Sequence, residues 1–162
     1  LGKTAEVSSG DDLLKLNSQL CFALYVCSKE VIRKYKPLLD PLGLTYTSYI
    51  TLLALWEEDG ITVKTLGEKL FLDSGTLTPL LKKMEKDGWL TRCRGSDERT
   101  VTISLTPKSE ALKIQARTIP EKLICTLNLD LQEAVNLLRN LHLMMDNIRS
   151  PLICKVSEER KV

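Results

Sequence analysis

Five cysteines, at positions 21, 27, 93, 125 and 154, and one histidine, His142, carry the sharpest intrinsic chemistry in this 162-residue chain. A thiolate is a nucleophile and a metal ligand, but a free cysteine is most often a small buried hydrophobe. Position alone gives Cys21 that packing role. Cys27 lies six residues further, off the helical face of Cys21, and is expected in the core. Cys93 and Cys154 sit where exposure is expected. His142 stands among leucines and methionines and is expected to pack. One histidine and dispersed cysteines do not make a zinc site. No Ser/His/Asp set and no glycine-rich phosphate loop appears, so neither cofactor nor metal is expected.

A second group of residues has the chemistry of phosphate recognition. Ser74, Thr76 and Thr78 are followed by Lys82, Lys83 and Lys86, and then by Arg92, Arg94 and Arg99. Hydroxyls meet phosphates or base edges, and cations neutralise backbone charge. Asp97 and Glu98 would repel phosphate and are expected to hold the arginines in place. Read one by one, these are the residues of a solvated surface. Their order along the chain decides the matter.

The elements that position them follow from periodicity. Leu13, Leu16, Leu20, Leu24, Cys27, Val31 and Tyr35 predict a long amphipathic helix from Asp11 to Tyr35. A turn is expected around Pro37, Pro41 and Gly43, then a helix over Thr47–Glu58. Thr62 caps a short helix to Leu70, and Asp73 or Ser74 starts another that stops at Gly88. Two short helices in this arrangement read as helix-turn-helix. The period then changes to two, with strands expected over Trp89–Cys93 and Arg99–Leu105 and a polar tip at 94–99. A hairpin after a helix-turn-helix is a wing. Pro107, capped by Thr106, opens a helix to about Cys125 that Pro120 interrupts or kinks. A last helix covers Asp130–Ile148.

Composition agrees with a globular reading. Apolar residues make up 43%, charged residues 27%, and the net charge is +2, which neither demands nor excludes nucleic acid. No apolar run approaches a membrane span, and no secretion signal is expected. Leu1–Gly10 is read as including a trimmed or added end. An odd cysteine count without repeated spacing argues against a disulfide scaffold and for a reducing, cytoplasmic setting. A single domain over 1–162 is expected. Within it, 11–42 and 107–148 are dimerisation helices, 46–105 the DNA-binding part, and 1–10 and 151–162 flexible ends. The first and last helices have more apolar surface than a small wing domain covers, which predicts an intertwined homodimer. The fold class is mainly α with a small β wing.

From Leu72-Asp73-Ser74-Gly75-Thr76-Leu77-Thr78-Pro79-Leu80-Leu81-Lys82-Lys83-Met84-Glu85 to Gly88 and Asp97-Glu98-Arg99, the chain resembles the MarR family of winged-helix regulators. More narrowly, Leu20-Cys21-Phe22-Ala23-Leu24-Tyr25, Tyr35-Lys36-Pro37-Leu38-Leu39-Asp40 and Leu44-Thr45-Tyr46 resemble its organic hydroperoxide-sensing (OhrR) branch. The likeness spans about Leu13 to Ile148. It implies that Cys21 is the peroxide-reactive residue, that Tyr35 and Tyr46 hold its thiolate, and that Tyr25 lies near the site. Phenol O–H donors suit that task, because they stabilise an anion without adding a full charge.

Geometry adds a condition. Fourteen residues along a straight helix span about 21 Å, so Tyr35 cannot touch Cys21 of its own chain along that helix. Tyrosines serving the thiol would come from a second subunit. The resemblance also implies resolution of the oxidised cysteine either by a small-molecule thiol or by a second cysteine about a hundred residues downstream. Cys125 stands 104 residues after Cys21 and is the candidate, with a plain core thiol as the other reading. The expected function is a repressor that binds operator DNA when reduced and releases it when organic hydroperoxides oxidise Cys21. A MarR-type repressor released by a phenolic ligand, and a thiol peroxidase, are the alternatives.

Overall fold

A computed structural model describes residues 10–94 and 100–149. Single 3₁₀ turns at Gly10–Leu14 and Leu16–Ser18 precede α1 (Leu20–Leu39). The helix expected from Asp11 therefore starts nine residues later. Asp11, Asp12, Asn17 and Ser18 favour local side-chain bonds over a continuous ladder, and Lys15 and Gln19 are extended. At its other end α1 runs through Pro37 instead of turning there. Leu39 is fully buried and Leu38 packs on the same core, and that anchorage outweighs the missing proline N–H. The turn comes at Gly43, whose φ of 68° is the left-handed conformation glycine adopts without a Cβ penalty.

Thr45 caps α2 (Tyr46–Glu57) by accepting from the Ser48 N–H. A two-residue strand, β1 (Ile61–Thr62), leads into α3 (Val63–Leu70) and α4 (Ser74–Lys86). Sequence reading missed β1, which is too short for any period to register. The wing strands are β2 (Leu90–Arg94) and β3 (Val101–Leu105). All three pair antiparallel in the order β1-β3-β2, with Ile61 opposite Ile103 and Leu90 opposite Leu105.

The core sits where α2, α3 and α4 close on this sheet. Leu77, Leu81 and Met84 recur at helical spacing on α4 and are buried with Leu52, Leu55, Leu66 and Ile103. α5 (Pro107–Ala116) and α6 (Ile119–Thr126) are separate helices. Pro120, expected to interrupt the chain here, occupies the first turn of α6, where its missing N–H costs nothing. α7 covers Leu131–Arg149 and buries no residue; Leu131, Val135, Leu138, Met145 and Ile148 are exposed along it. His142, expected to pack, is exposed too.

The chain groups into two compact units, 1–123 and 124–162. Among the described residues, no single helix is long and apolar enough to cross a membrane. In the first unit, α5 is fastened to the end of α4. Thr106 Oγ1 donates to the Gly88 carbonyl at 2.8 Å and accepts from the Ser109 N–H, while Ser109 bonds back to the Thr106 N–H. This capping box should make Thr106→Ala cost about 1–2 kcal/mol. Urea unfolding will show it as a lower midpoint with an unchanged slope.

Candidate nucleic-acid interface and thiol site

Cys21 lies in the first turn of α1 and is exposed. Tyr25 follows one turn later on the same face and is also exposed; Lys29 Nζ stands 5.0 Å from its ring centroid. The other two expected tyrosines are elsewhere. Tyr35 belongs to the last half of α1 and Tyr46 opens α2, with ring centroids 5.0 Å apart and planes tilted by 49°. Because α1 is helical at both positions, Tyr35 stays about 21 Å along the axis from Cys21 of the same chain. Tyr35 and Tyr46 come together; Cys21 does not join them within one chain.

A third ring, Tyr49, completes this cluster 5.7 Å from Tyr35 and is buried. Sequence reading missed it, although Tyr46 and Tyr49 stand one helical turn apart, a spacing that places both on one face. Burial, followed by the neighbouring phenols of Tyr49 and Tyr46, pushes Tyr35 up to about 12. Burial also raises Tyr46, and burial with Tyr46 beside it raises Tyr49. All three therefore remain neutral O–H donors well above neutral pH.

Among the remaining thiols, Cys27 departs from expectation and Cys93 meets it. Cys27, expected in the core, is exposed, since little of α1 before Tyr35 is covered by its own chain. Cys93 is exposed on β2, and Cys125 is exposed near the end of α6. Cys154 lies outside the described residues. No group of three or more His, Cys, Asp or Glu side chains suited to a metal occurs among the described residues.

The helix-turn-helix is built by its caps. Thr62 accepts from the Thr65 N–H at the start of α3. At the start of α4, Asp73 accepts both the Thr76 N–H at 2.9 Å and the Thr76 hydroxyl at 3.0 Å. These bonds, the backbone one foremost, hold the Asp73 carboxyl below its usual range. The Thr76 hydroxyl is thus used in the cap, while Ser74 and Thr78 are exposed, as are Lys82, Lys83 and Lys86.

The wing arginines divide in two. Arg94 is exposed. Arg92 is held by Glu85 of α4, which accepts its Nε and Nη2 at 2.8 Å and its backbone N–H at 3.2 Å. Arg92, first among the causes, keeps the Glu85 carboxyl below its ordinary range. Glu85 thus holds one of the arginines that Asp97 and Glu98 are expected to hold. Those two residues and Arg99 lie outside the described residues. The pairing is hard to read in advance, because the six intervening residues include the Gly88 turn that folds β2 back on α4.

Comparisons with known proteins agree with this architecture. A profile of the family described as transcriptional regulator SarA/Rot matches residues 33–117. An organic hydroperoxide resistance transcriptional regulator of Bacillus subtilis strain 168 is 56% identical over 110 residues, 67% of this chain and 75% of that protein. Among solved structures, reduced AbfR bound to DNA superposes with a TM-score of 0.69 at 32% identity, covering 85% of this chain and 96% of that one. AbfR, from Staphylococcus epidermidis, is also known in a disulfide form; that structure superposes with a TM-score of 0.58 at 33% identity over 83% of this chain and 96% of its own.

The tyrosine cluster makes a pH prediction. Folding raises Tyr35 from 10.0 to about 12, so the fold favours its protonated form. The resulting stability is fully present below pH 10 and is lost as pH rises towards about 12. Denaturant midpoints measured across that window should fall, and Tyr35→Phe should flatten the fall. An equally steep loss in the phenylalanine variant would assign it to other groups.

Proposed function

The chain belongs to the MarR family of winged-helix transcriptional regulators, in its organic hydroperoxide-sensing branch, and from that premise we propose that it is a thiol-switched repressor acting as a homodimer. It is a regulator and not an enzyme. Reduced, it holds operator DNA with α4 in the major groove, which admits one helix. Ser74 and Thr78 face the duplex from the first turns of α4, and Lys82 and Lys83 neutralise phosphate. Arg94, with Arg99, reaches phosphate or a narrow minor groove from the wing.

The switch is Cys21. Its thiolate attacks one oxygen of an organic hydroperoxide: an S–O bond forms, the O–O bond breaks, and the departing alkoxide takes a proton to become the alcohol. The sulfur is oxidised to a sulfenic acid and the peroxide is reduced. A second thiol then attacks the sulfenic sulfur, forming a disulfide and releasing water. Cys125 of a second copy is the proposed resolving thiol, with a small-molecule thiol as the other route.

The observation that carries this reading is the separation of Cys21 from Tyr35 along one continuous helix, α1, with Tyr46 of α2 packed beside Tyr35 at the far end. An exposed thiol and a pair of neutral phenols meet only if two copies cross. Leu20, Tyr25, Val26 and Ile32 leave apolar surface on α1 exposed, which supports such a crossing. Bonding across the copies would then move the wings relative to half-sites about 34 Å apart.

Gel shifts with reduced protein, before and after cumene hydroperoxide, test the switch. Cys21→Ser should bind DNA as well as wild type and stay bound after oxidant. On non-reducing gels, the oxidised wild type should run as a covalent dimer and Cys125→Ser as a monomer; a dimer band in that variant would remove Cys125 from the proposal. A thiol that alkylates slowly at every pH near neutral would favour release by a phenolic ligand instead.

The two wing arginines should separate by salt dependence. Arg94→Ala should lower the slope of log affinity against log salt by about 1, the signature of one lost phosphate contact. Arg92→Ala should leave the slope unchanged while lowering stability, because its charge is used on Glu85.

A further inference from the structure

Lys64 stands where the helix that carries it would do better with a different residue. Thr62 caps α3, so Val63 is its first residue and Lys64 its second. The N–H groups at a helix start carry partial positive charge, which favours a carboxylate there and disfavours a cation. No acidic residue occupies that turn of α3. Glu68, one turn on, offers Lys64 little in return. Its carboxylate lies 4.0 Å from the ammonium, and both side chains are mostly exposed. A lysine that precedes its glutamate is also the weaker order for such a pair. Lys69 of the same helix is used differently, because its ammonium reaches Glu58 at the end of α2 at 2.8 Å. A charge that works against its own helix points to a role outside the fold.

The surroundings of Lys64 say which role. It borders two grooves at once. One, of about 450 Å³, runs between α3, α4 and the wing and has Thr78 in its wall. The other lies between α3 and the start of α4 and has Ser74 in its wall. Lys64 therefore adjoins, on either side, the two hydroxyl residues of α4 that face the duplex on the proposed reading. In a helix-turn-helix the second helix enters the major groove while the first crosses the backbone. A cation near the start of that first helix, on the side of Ser74 and Thr78, meets phosphate. The helix field that repels the ammonium attracts the phosphate.

We propose that Lys64 holds a backbone phosphate of the DNA, giving α3 a positioning contact beside the base-facing start of α4. This rests on the DNA-binding reading and extends it from α4 and the wing to the first helix of the pair. The contact has a double signature. Its loss removes one phosphate neutralisation, so binding weakens on any duplex and the salt slope falls. The same loss relieves the helix start, so stability does not fall with affinity.

Fluorescence anisotropy with a random-sequence duplex of about 30 base pairs, three helical turns, tests it on the full-length reduced protein. Lys64→Gln should melt at a Tm equal to or above that of wild type. Its affinity should fall about fivefold to tenfold at 0.1 M salt, with the slope of log affinity against log salt lower by about 1. Lys64→Arg keeps the charge and should keep the slope. Lys64→Ala should repeat the loss and serves if the glutamine variant folds poorly. Lys69→Gln, which removes the same charge from the same helix, should leave the slope unchanged. An unchanged slope in well-folded Lys64 variants overturns the contact while leaving DNA binding intact. An equal fall in Lys69→Gln also overturns it, by assigning the effect to net charge. If wild type itself binds no duplex at low salt, the DNA-binding reading fails first and takes the contact with it.

Discussion

A helix that rises 1.5 Å per residue cannot fold back on itself, and α1 is helical from Leu20 to Leu39. That rigidity is the constraint on which the sensor reading depends. It keeps the thiol of Cys21 at one end and the phenol of Tyr35 at the other, and it leaves the surface between them largely uncovered. A flexible arm would let a single chain assemble the whole site. A rigid one divides it, and on the proposed reading chemistry at the thiol then reports on how two copies are arranged.

The DNA-reading half depends on a different kind of restraint. Here short elements are fixed by local bonds and close approach. Thr62 and Asp73 cap α3 and α4. Gly67 admits the Leu72 carbonyl so closely that a Cβ would stand 2.9 Å from it. Arg92 ties the wing to α4 through Glu85. Each restraint acts within a few residues or across one turn, which suits a module that must present several side chains to a rigid duplex at once. Where the thiol half leaves apolar surface for a second copy, this half buries its own: Leu66, Leu77, Leu81 and Ile103 are nearly inaccessible.

These two kinds of restraint also explain what was legible in the sequence. Caps and turns are local, so Thr62, Asp73, Gly88 and Thr106 could be placed from residue type and spacing, and α3, α4 and the wing strands with them. The Pro37 turn was misplaced because burial of Leu39, a tertiary effect, overrides a local breaker. Likewise, the early start of the first helix rested on leucine spacing alone and neglected the competing Asp, Asn and Ser side chains. Tyr49 and Glu85 escaped notice for a third reason. Both act through contacts between elements, Tyr49 with α1 and Glu85 with β2, which no period reveals. Cys27 was assigned to the core because its helix is amphipathic, but an apolar face finds a core only where another element covers it.

Within the first unit, the bonds between elements constrain how a change at the arms can be felt by the wing. Trp56 of α2 donates to the Ser109 carbonyl at 3.2 Å, and Lys113 of α5 donates to the Trp56 carbonyl at 3.3 Å. Thr106 and Lys108 then fasten the start of α5 to Gly88 and Asp87, immediately after α4. The tyrosine cluster stands on α1 and α2, so it is joined to the wing base through α2, α5 and the end of α4. Close-packed interiors deform little. On the proposed reading, a displacement of α2 moves the DNA-reading unit as a whole, while the Glu85–Arg92 pair keeps the wing tied to α4. On the proposed reading, oxidation changes the spacing between two intact readers, and a dimer whose readers no longer match adjacent major grooves loses both half-sites together.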